Sequence, residues 1–160
     1  IDLARGDQQS DDAEDLDLAD LVRAALARAE RNWPHLRYES ELEPWPMTGS
    51  RQRLIRAINN LLDNAAKFSP PGSTVHVQLR SGELTVRDEG PGVADEDLPH
   101  IFDRFYRARD ASPYPGSGLG LAIVRQVVQA HGGEVSARPG ASGGLEVAVS
   151  FGDEAPALAV

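Results

Sequence analysis

An α+β fold, with helices packed against a sheet, is predicted by three features of this 160-residue chain. Leu54, Ile58, Leu61, Leu62 and Ala65 recur at i, i+4, i+7, i+8 and i+11, which makes the stretch from Arg51 to Ser69 an amphipathic helix with one apolar face for a core. Thr74 to Arg80 and Glu83 to Arg87 are β-branched runs separated by Ser81 and Gly82, the composition of a hairpin. A further helical stripe, Leu119, Ile123, Val127 and Ala130, ends at Gly132 and Gly133 and leads into two more strand-like runs.

Residues 1–17 are rich in Asp, Gln and Ser, so they read as a solvated linker or as the end of an element that precedes the domain. Leu18, Leu21, Val22, Ala25, Leu26 and Ala29 then give a helix to about Asn32, stopped by Pro34. Leu36 to Leu42 alternates as a strand until Pro44 and Pro46, and Ser50 is placed to cap the helix that Pro70 and Pro71 end. Pro71 and Gly72 mark a turn, and the second strand of the hairpin runs into Asp88, Glu89, Gly90, Pro91 and Gly92. Asp95 can cap a short helix over Glu96 to Ile101, ahead of Phe102, Asp103, Arg104, Phe105, Tyr106 and Arg107. Ala108 to Ser117 has no periodicity and holds Pro113, Pro115 and Gly116, so it reads as a mobile loop. Gly118 to His131 is the last helix, and Glu134 to Ala137 and Leu145 to Phe151 form a final strand pair around the loop Pro139 to Gly144. The domain is therefore expected over 18–152, with 153–160 as a tail.

Composition narrows the function. The formal charge of −9 opposes non-specific binding to nucleic acid, and no apolar run approaches the length of a membrane helix. With no cysteine, disulfides and thiolate metal sites are ruled out. The chain opens on Ile, so it is expected to be a piece of a longer protein.

Three segments carry polar groups that chemistry could use. Asn60, Asn64 and Lys67 share a helical face roughly 140° from the apolar stripe, which is either a solvated face or two amides and an amine aimed at one site. Gly116 to Leu121, GSGLGL, stands between the loop and a helix; it is either a plain turn or a backbone cradle for phosphate at a helix N-terminus. It lacks the preceding strand of a dinucleotide fingerprint, and no GxxxxGK[ST] phosphate loop occurs. Asp88 with Gly90 and Gly92 is either a turn, calcium-like or ordinary, or a carboxylate acceptor at a strand end that can read an exocyclic amine.

In order along the chain, NLLDNAAKFS (Asn60 to Ser69), DEGPG (Asp88 to Gly92), FDRF (Phe102 to Phe105), GSGLGL (Gly116 to Leu121) and HGG (His131 to Gly133) resemble the catalytic ATP-binding domain of bacterial sensor histidine kinases. They correspond to that family's N, G1, F and G2 boxes over roughly residues 50–151, and the preceding helix and strand also fit. The resemblance implies the Bergerat-type (GHKL) two-layer α/β sandwich, a mixed sheet on one side and helices on the other, with ATP beneath a flexible lid.

It also implies roles. Asn64 is similar to the amide that ligates Mg²⁺ on the phosphates, with Asn60 one turn earlier, and Lys67 to a phosphate-contacting lysine. Phe68 stands where the family often sets an aromatic against adenine, or is a core aromatic; Asp88 corresponds to the acceptor for the adenine amino group, with Gly90 and Gly92 lining the base. Arg107 resembles the lid arginine that reaches the γ-phosphate, with Arg104 and Arg109 as competitors, and Phe102 and Phe105 resemble the lid's hinge. Gly116, Ser117, Gly118, Leu119 and Gly120 would cradle phosphate oxygens.

Related ATPases carry a general-base Glu where this chain has Asn60, and Asn cannot take a proton from water. The site is thus suited to hold ATP for another nucleophile, with Asn60, Lys67 and Arg107 as the catalytic set. That nucleophile would be a histidine in a helical dimerisation domain before residue 1. His35, His76, His100 and His131 lack the family's HELRTP-like surroundings and are expected to be structural or surface residues, His131 where a helix C-terminus favours positive charge. By the same resemblance the fragment is expected to be cytoplasmic and monomeric and its parent a membrane-bound homodimer that relays phosphate to a response regulator. An anti-sigma-type serine kinase of the same fold is the close alternative, disfavoured by Asn60 and FDRF; a non-catalytic nucleotide-binding module is the distant one.

Overall fold

The computed structural model describes residues 13–104, 120–141 and 143–152. In chain order the elements are β1 (Glu14–Asp17), α1 (Leu18–Asn32), β2 (Arg37–Leu42), β3 (Pro46–Gly49), α2 (Arg51–Phe68), β4 (Thr74–Arg80), β5 (Glu83–Arg87), a 3₁₀ turn (Leu98–His100), α3 (Gly120–Ala130), β6 (Glu134–Pro139) and β7 (Leu145–Ser150). Five strands form one sheet in the order β2-β4-β5-β7-β6. The β2/β4 pair is parallel and the other three are antiparallel, so the sheet is mixed.

Alternation decides which face of the sheet the helices cover. Val75, Val77 and Leu79 of β4, Leu84 and Val86 of β5, and Leu145, Val147 and Val149 of β7 are buried, while their neighbours along each strand are half-exposed. Two of the predicted stripes meet that face: Leu54, Ile58, Leu61, Leu62 and Ala65 of α2 are all buried, as are Leu18, Leu21, Val22, Ala25 and Leu26 of α1. By contrast, α3 buries Ala122, Val124, Val127 and Val128, sharing Val127 alone with its predicted stripe, of which Ile123 is half-buried, Ala130 exposed and Leu119 outside the described residues. Leu62, fully enclosed at 0 % exposure, is the kind of side chain whose truncation to Ala costs about 2–5 kcal/mol. The result is a two-layer sandwich with α2 between α1 and α3.

The hairpin turn is as the sequence predicts. Ser81 has φ 51° and Gly82 φ 77°, the left-handed pair of a type I′ turn. Gly82 has a second constraint, since a Cβ there would fall 2.5 Å from the Trp45 ring.

Three further local expectations are corrected. Glu14–Asp17, assigned to the leading linker, forms β1 and pairs antiparallel with β3. Its acidity hid a strand whose single apolar residue, Leu16, is buried opposite Met47 while the acids face outward to partners: Asp15 accepts from the Thr48 hydroxyl at 2.9 Å and Glu14 from Arg51 at 2.5 Å. Asp17 then caps α1, accepting from the Ala19 amide at 3.0 Å and the Trp45 amide at 2.9 Å. β2 stops at Leu42 ahead of Pro44 and Pro46 as expected, but Pro46 also opens β3, a strand of a two-stranded ribbon for which no strand was expected. The short helix capped by Asp95 is a 3₁₀ turn over Leu98–His100, entered at Asp97 without a side-chain cap, with Pro99 in its first turn.

Candidate functional site

β5 delivers Asp88 to a position 3 % exposed, beyond the last paired residue of the strand. Its Oδ1 accepts two backbone N–H bonds, from Gly90 at 2.9 Å and from Leu145 at 3.2 Å, and its own amide donates to the Leu145 carbonyl at 3.0 Å. Burial pushes the carboxyl above its ordinary range, and the two amides pull it partly back. Both bonds land on Oδ1, and among the described residues no donor meets Oδ2.

Glycines let the backbone close around this carboxylate. A Cβ on Gly90 would fall 2.3 Å from the carbonyl oxygen of Phe68, so the C-terminal end of α2 and the exit of β5 touch there. Gly92, at φ +78°, would place a Cβ 3.1 Å from the Gly144 oxygen. Gly144, also at φ +78°, approaches the Asp88 carbonyl more closely still. This wall between β6 and β7 was read from the sequence only as a loop; the pair Gly143-Gly144 ahead of a strand was the available signal.

On α2, Asn60, Asn64, Lys67 and Phe68 are half-buried. The Asn60 amide donates to the Gly120 carbonyl at 3.4 Å, which fastens this face to the start of α3. The Asn64 side chain makes no hydrogen bond to the described residues. Lys67 Nζ stands 5.3 Å from the centroid of the Phe68 ring, a cation–π distance. The first amides of α3 have no partner within the helix, so its N-terminus adds a partial positive charge beside the α2 face. On this face Asn60 touches the start of α3, and Phe68 at the C-terminal end of α2 meets Gly90 beside Asp88.

A metal ion would fit this donor set only in one form. Among the described residues no cluster of three or more His, Asp or Glu could hold an ion. A lone amide oxygen such as that of Asn64 suits Mg²⁺, which keeps waters and phosphate oxygens as its other ligands.

Phe102 is buried with Ile101, and Arg104 is exposed two residues on. Phe105, Arg107, Arg109, Gly116, Ser117, Gly118 and Leu119, and with them the loop expected over 108–117, lie outside the described residues. The described histidines have structural partners. His76 sits between Glu39 and Glu89, each at 3.3 Å, on the sheet face away from the helices, and His100 pairs with Asp103 at 3.2 Å. His131 is likewise structural, its Nε2 accepting the Ser50 N–H at 3.1 Å.

The family described as "Histidine kinase-, DNA gyrase B-, and HSP90-like ATPase" matches residues 49–154. The chain is 41% identical over 156 residues to the "Signal transduction histidine-protein kinase/phosphatase MprB" of Mycobacterium avium (strain 104), covering 94% of this chain and 30% of that protein. It therefore spans under a third of the length of the curated relatives it matches. A solved structure described as "Mycobacterial sensor histidine kinase MprB" superposes with a TM-score of 0.78 at 36% identity, over 85% of this chain and 95% of that one. The "ATP binding domain of PrrB from Mycobacterium Tuberculosis" does so with a TM-score of 0.69 at 26% identity, over 88% and 96%.

Proposed function

Since the chain belongs to the histidine kinase-, DNA gyrase B- and HSP90-like ATPase family, and within it to the ATP-binding catalytic domains of sensor histidine kinases, we propose that it binds ATP beside α2 and presents the γ-phosphoryl to a histidine outside this chain. The observation that carries the reading is Asp88: a buried carboxylate, fixed through one oxygen and free at the other, walled by backbone that only glycine permits.

In this reading Asp88 Oδ2 accepts the adenine amino group, which carries donors where a guanine carries an oxygen. Gly90, Gly92 and Gly144 let the base approach, and Phe68 supplies an apolar surface beside it. The Asn64 amide oxygen takes one position on a Mg²⁺ carried by the nucleotide; the ion would neutralise phosphate charge. Lys67 and the amides of 116–120 hold phosphate oxygens, and Arg107, with Arg104 nearby in sequence, reaches the γ-phosphoryl.

Transfer then needs little beyond alignment. The bond from Pγ to the bridging oxygen breaks, ADP leaves, and an imidazole nitrogen takes the phosphoryl group. Asn60 is important for what it does not do: an amide cannot take a proton from water, so bound ATP is kept for the histidine. The same residue argues against a serine kinase, whose hydroxyl nucleophile would need a base there. The partner domain, a homodimeric membrane-bound parent and a response regulator downstream follow from this reading; no described helix of the chain is long and apolar enough to cross a membrane.

The test is calorimetric titration of this chain with a non-hydrolysable ATP analogue, with and without Mg²⁺. Binding that tightens with Mg²⁺ is expected, followed by transfer to a helical phosphoacceptor domain supplied in trans. A folded sample that binds no nucleotide at millimolar concentration would overturn the proposal.

A further inference from the structure

His131 follows the last turn of α3, and its imidazole reaches the beginning of α2. Nδ1 donates to the Val127 carbonyl at 2.7 Å, and Nε2 accepts the Ser50 backbone N–H at 3.1 Å. Because both partners are backbone groups of fixed polarity, they assign the tautomer: the proton is on Nδ1 and Nε2 is an acceptor. Ser50 is the N-cap of α2 and only 4 % exposed, so its amide is satisfied by this nitrogen rather than by bulk water. The contact also dictates its neighbour. A Cβ on Gly49 would lie 2.7 Å from Cδ2 and 2.9 Å from Nε2 of the imidazole, so any larger residue would push the ring off the amide.

A second tie joins the same two helices. The Asn60 amide meets the Gly120 carbonyl at the opposite end of α3. From Ser50 to Asn60 and from His131 back to Gly120 the separations are ten and eleven residues, or about 15 Å along each helix. The helices run antiparallel, fastened at two points. Between the ties their buried side chains are aliphatic, including Leu54, Ala57, Ile58, Val124 and Val127, and aliphatic packing is not directional. The two polar contacts are the directional ties between α2 and α3 among the described residues.

We infer that His131 is a positioning residue for the nucleotide site. It holds the register of α3 from the end remote from the chemistry, and so sets how far the α3 N-terminus stands from Asn60, Asn64 and Lys67. Its acceptor nitrogen, not its charge, performs the task. The inference rests on the nucleotide site proposed above.

The experiment compares His131→Phe, which fills the space without an acceptor, with His131→Gln, whose side-chain oxygen can take the Ser50 N–H. Affinity for the Mg²⁺ complex of a non-hydrolysable ATP analogue is measured well below each variant's melting temperature. His131→Phe is expected to weaken binding at least about fivefold, the lower edge of an ordinary coupling between sites, and His131→Gln to restore near-wild-type affinity. Unchanged affinity in His131→Phe, or equal loss in both variants, overturns the inference, since a residue that only stabilises the fold would shift melting without this pattern. Should His131→Phe not fold, amide exchange of the wild type decides: by reciprocity the analogue must slow exchange at Ser50 more than it slows the chain as a whole, and equal slowing overturns the inference. A wild type that binds no nucleotide would instead refute the site on which it rests.

Discussion

A Cβ on Gly144 would lie 2.1 Å from the carbonyl oxygen of Asp88, so the two residues can stand as they do only because one is glycine. Gly144→Ala must either move β7 away from Asp88 or adopt a left-handed backbone against a clash, and a cost of about 1–3 kcal/mol is expected for such a position. Nucleotide affinity should fall with it, because Leu145, the next residue, holds Asp88 Oδ1. Gly143→Ala is the control. Its φ is +91° but a Cβ there meets nothing within 4 Å, so it should lose some stability and leave affinity unchanged. Denaturant midpoints and titrations of the two variants check this, and equal affinities would contradict the assigned wall.

Asp88→Asn separates binding from stability. The amide keeps an oxygen for Gly90 and Leu145 while removing a charge whose burial is unfavourable. Burial raises the folded-state pKa of Asp88 above its ordinary value, so the folded chain holds that proton to higher pH than the unfolded chain does. Its contribution to stability is therefore greatest below the unfolded value and declines as pH rises through the folded one. Relative to wild type, Asp88→Asn should gain stability across that interval and stay level above it, while adenine-nucleotide affinity drops by about 1–3 kcal/mol for want of the charged acceptor. Urea denaturation across acid to neutral pH and calorimetry at neutral pH test the two halves. A stability difference independent of pH would remove the case for a strained buried carboxylate.

Removing the proposed metal ligand should act on one arm of the titration only. The Asn64 side chain makes no hydrogen bond to the described residues, so Asn64→Ala is expected to leave the fold intact. Metal-free binding of the analogue should match wild type, and the tightening on addition of Mg²⁺ should be lost. Retained Mg²⁺ dependence would assign the ligand elsewhere.

How far the sequence led depended on whether a feature is local. The faces of α2 are legible because periodicity reports burial and the same helix carries Asn60, Asn64 and Lys67. Asp88 is legible because a strand runs straight into it. β1 was missed because three of its four residues are acidic and its pairing with β3 is a contact between segments some thirty residues apart. Gly144 escaped notice for the same reason: its constraint is the Asp88 backbone, distant in sequence. A structural role for His131 at a helix end is legible, but its partner is not, because Ser50, whose N–H its Nε2 accepts, is distant in sequence.

Asp63 offers a test in which stability changes and the site does not. Its Oδ1 accepts from Arg28 at 2.9 Å and from the Trp33 indole at 3.1 Å, tying α1 and its C-terminal cap to α2 on the flank away from α3. The carboxylate is one-third exposed at 33 % and Arg28 is at 36 %, so solvent screens the ion pair and the indole bond carries much of the effect. Asp63→Ala should cost about 1–2 kcal/mol; Asp63→Asn, which keeps an oxygen for the indole, should cost less. Asp63 also acts on Tyr38, whose pKa is raised first by burial and then by the negative charges of Asp63 and Glu30. Absorbance titration of the phenol should show Tyr38 ionising at lower pH in Asp63→Asn, while nucleotide affinity stays at the wild-type value. A loss of affinity here would mean that the α1 flank and the nucleotide face of α2 are coupled, contrary to the separation the two sets of contacts describe.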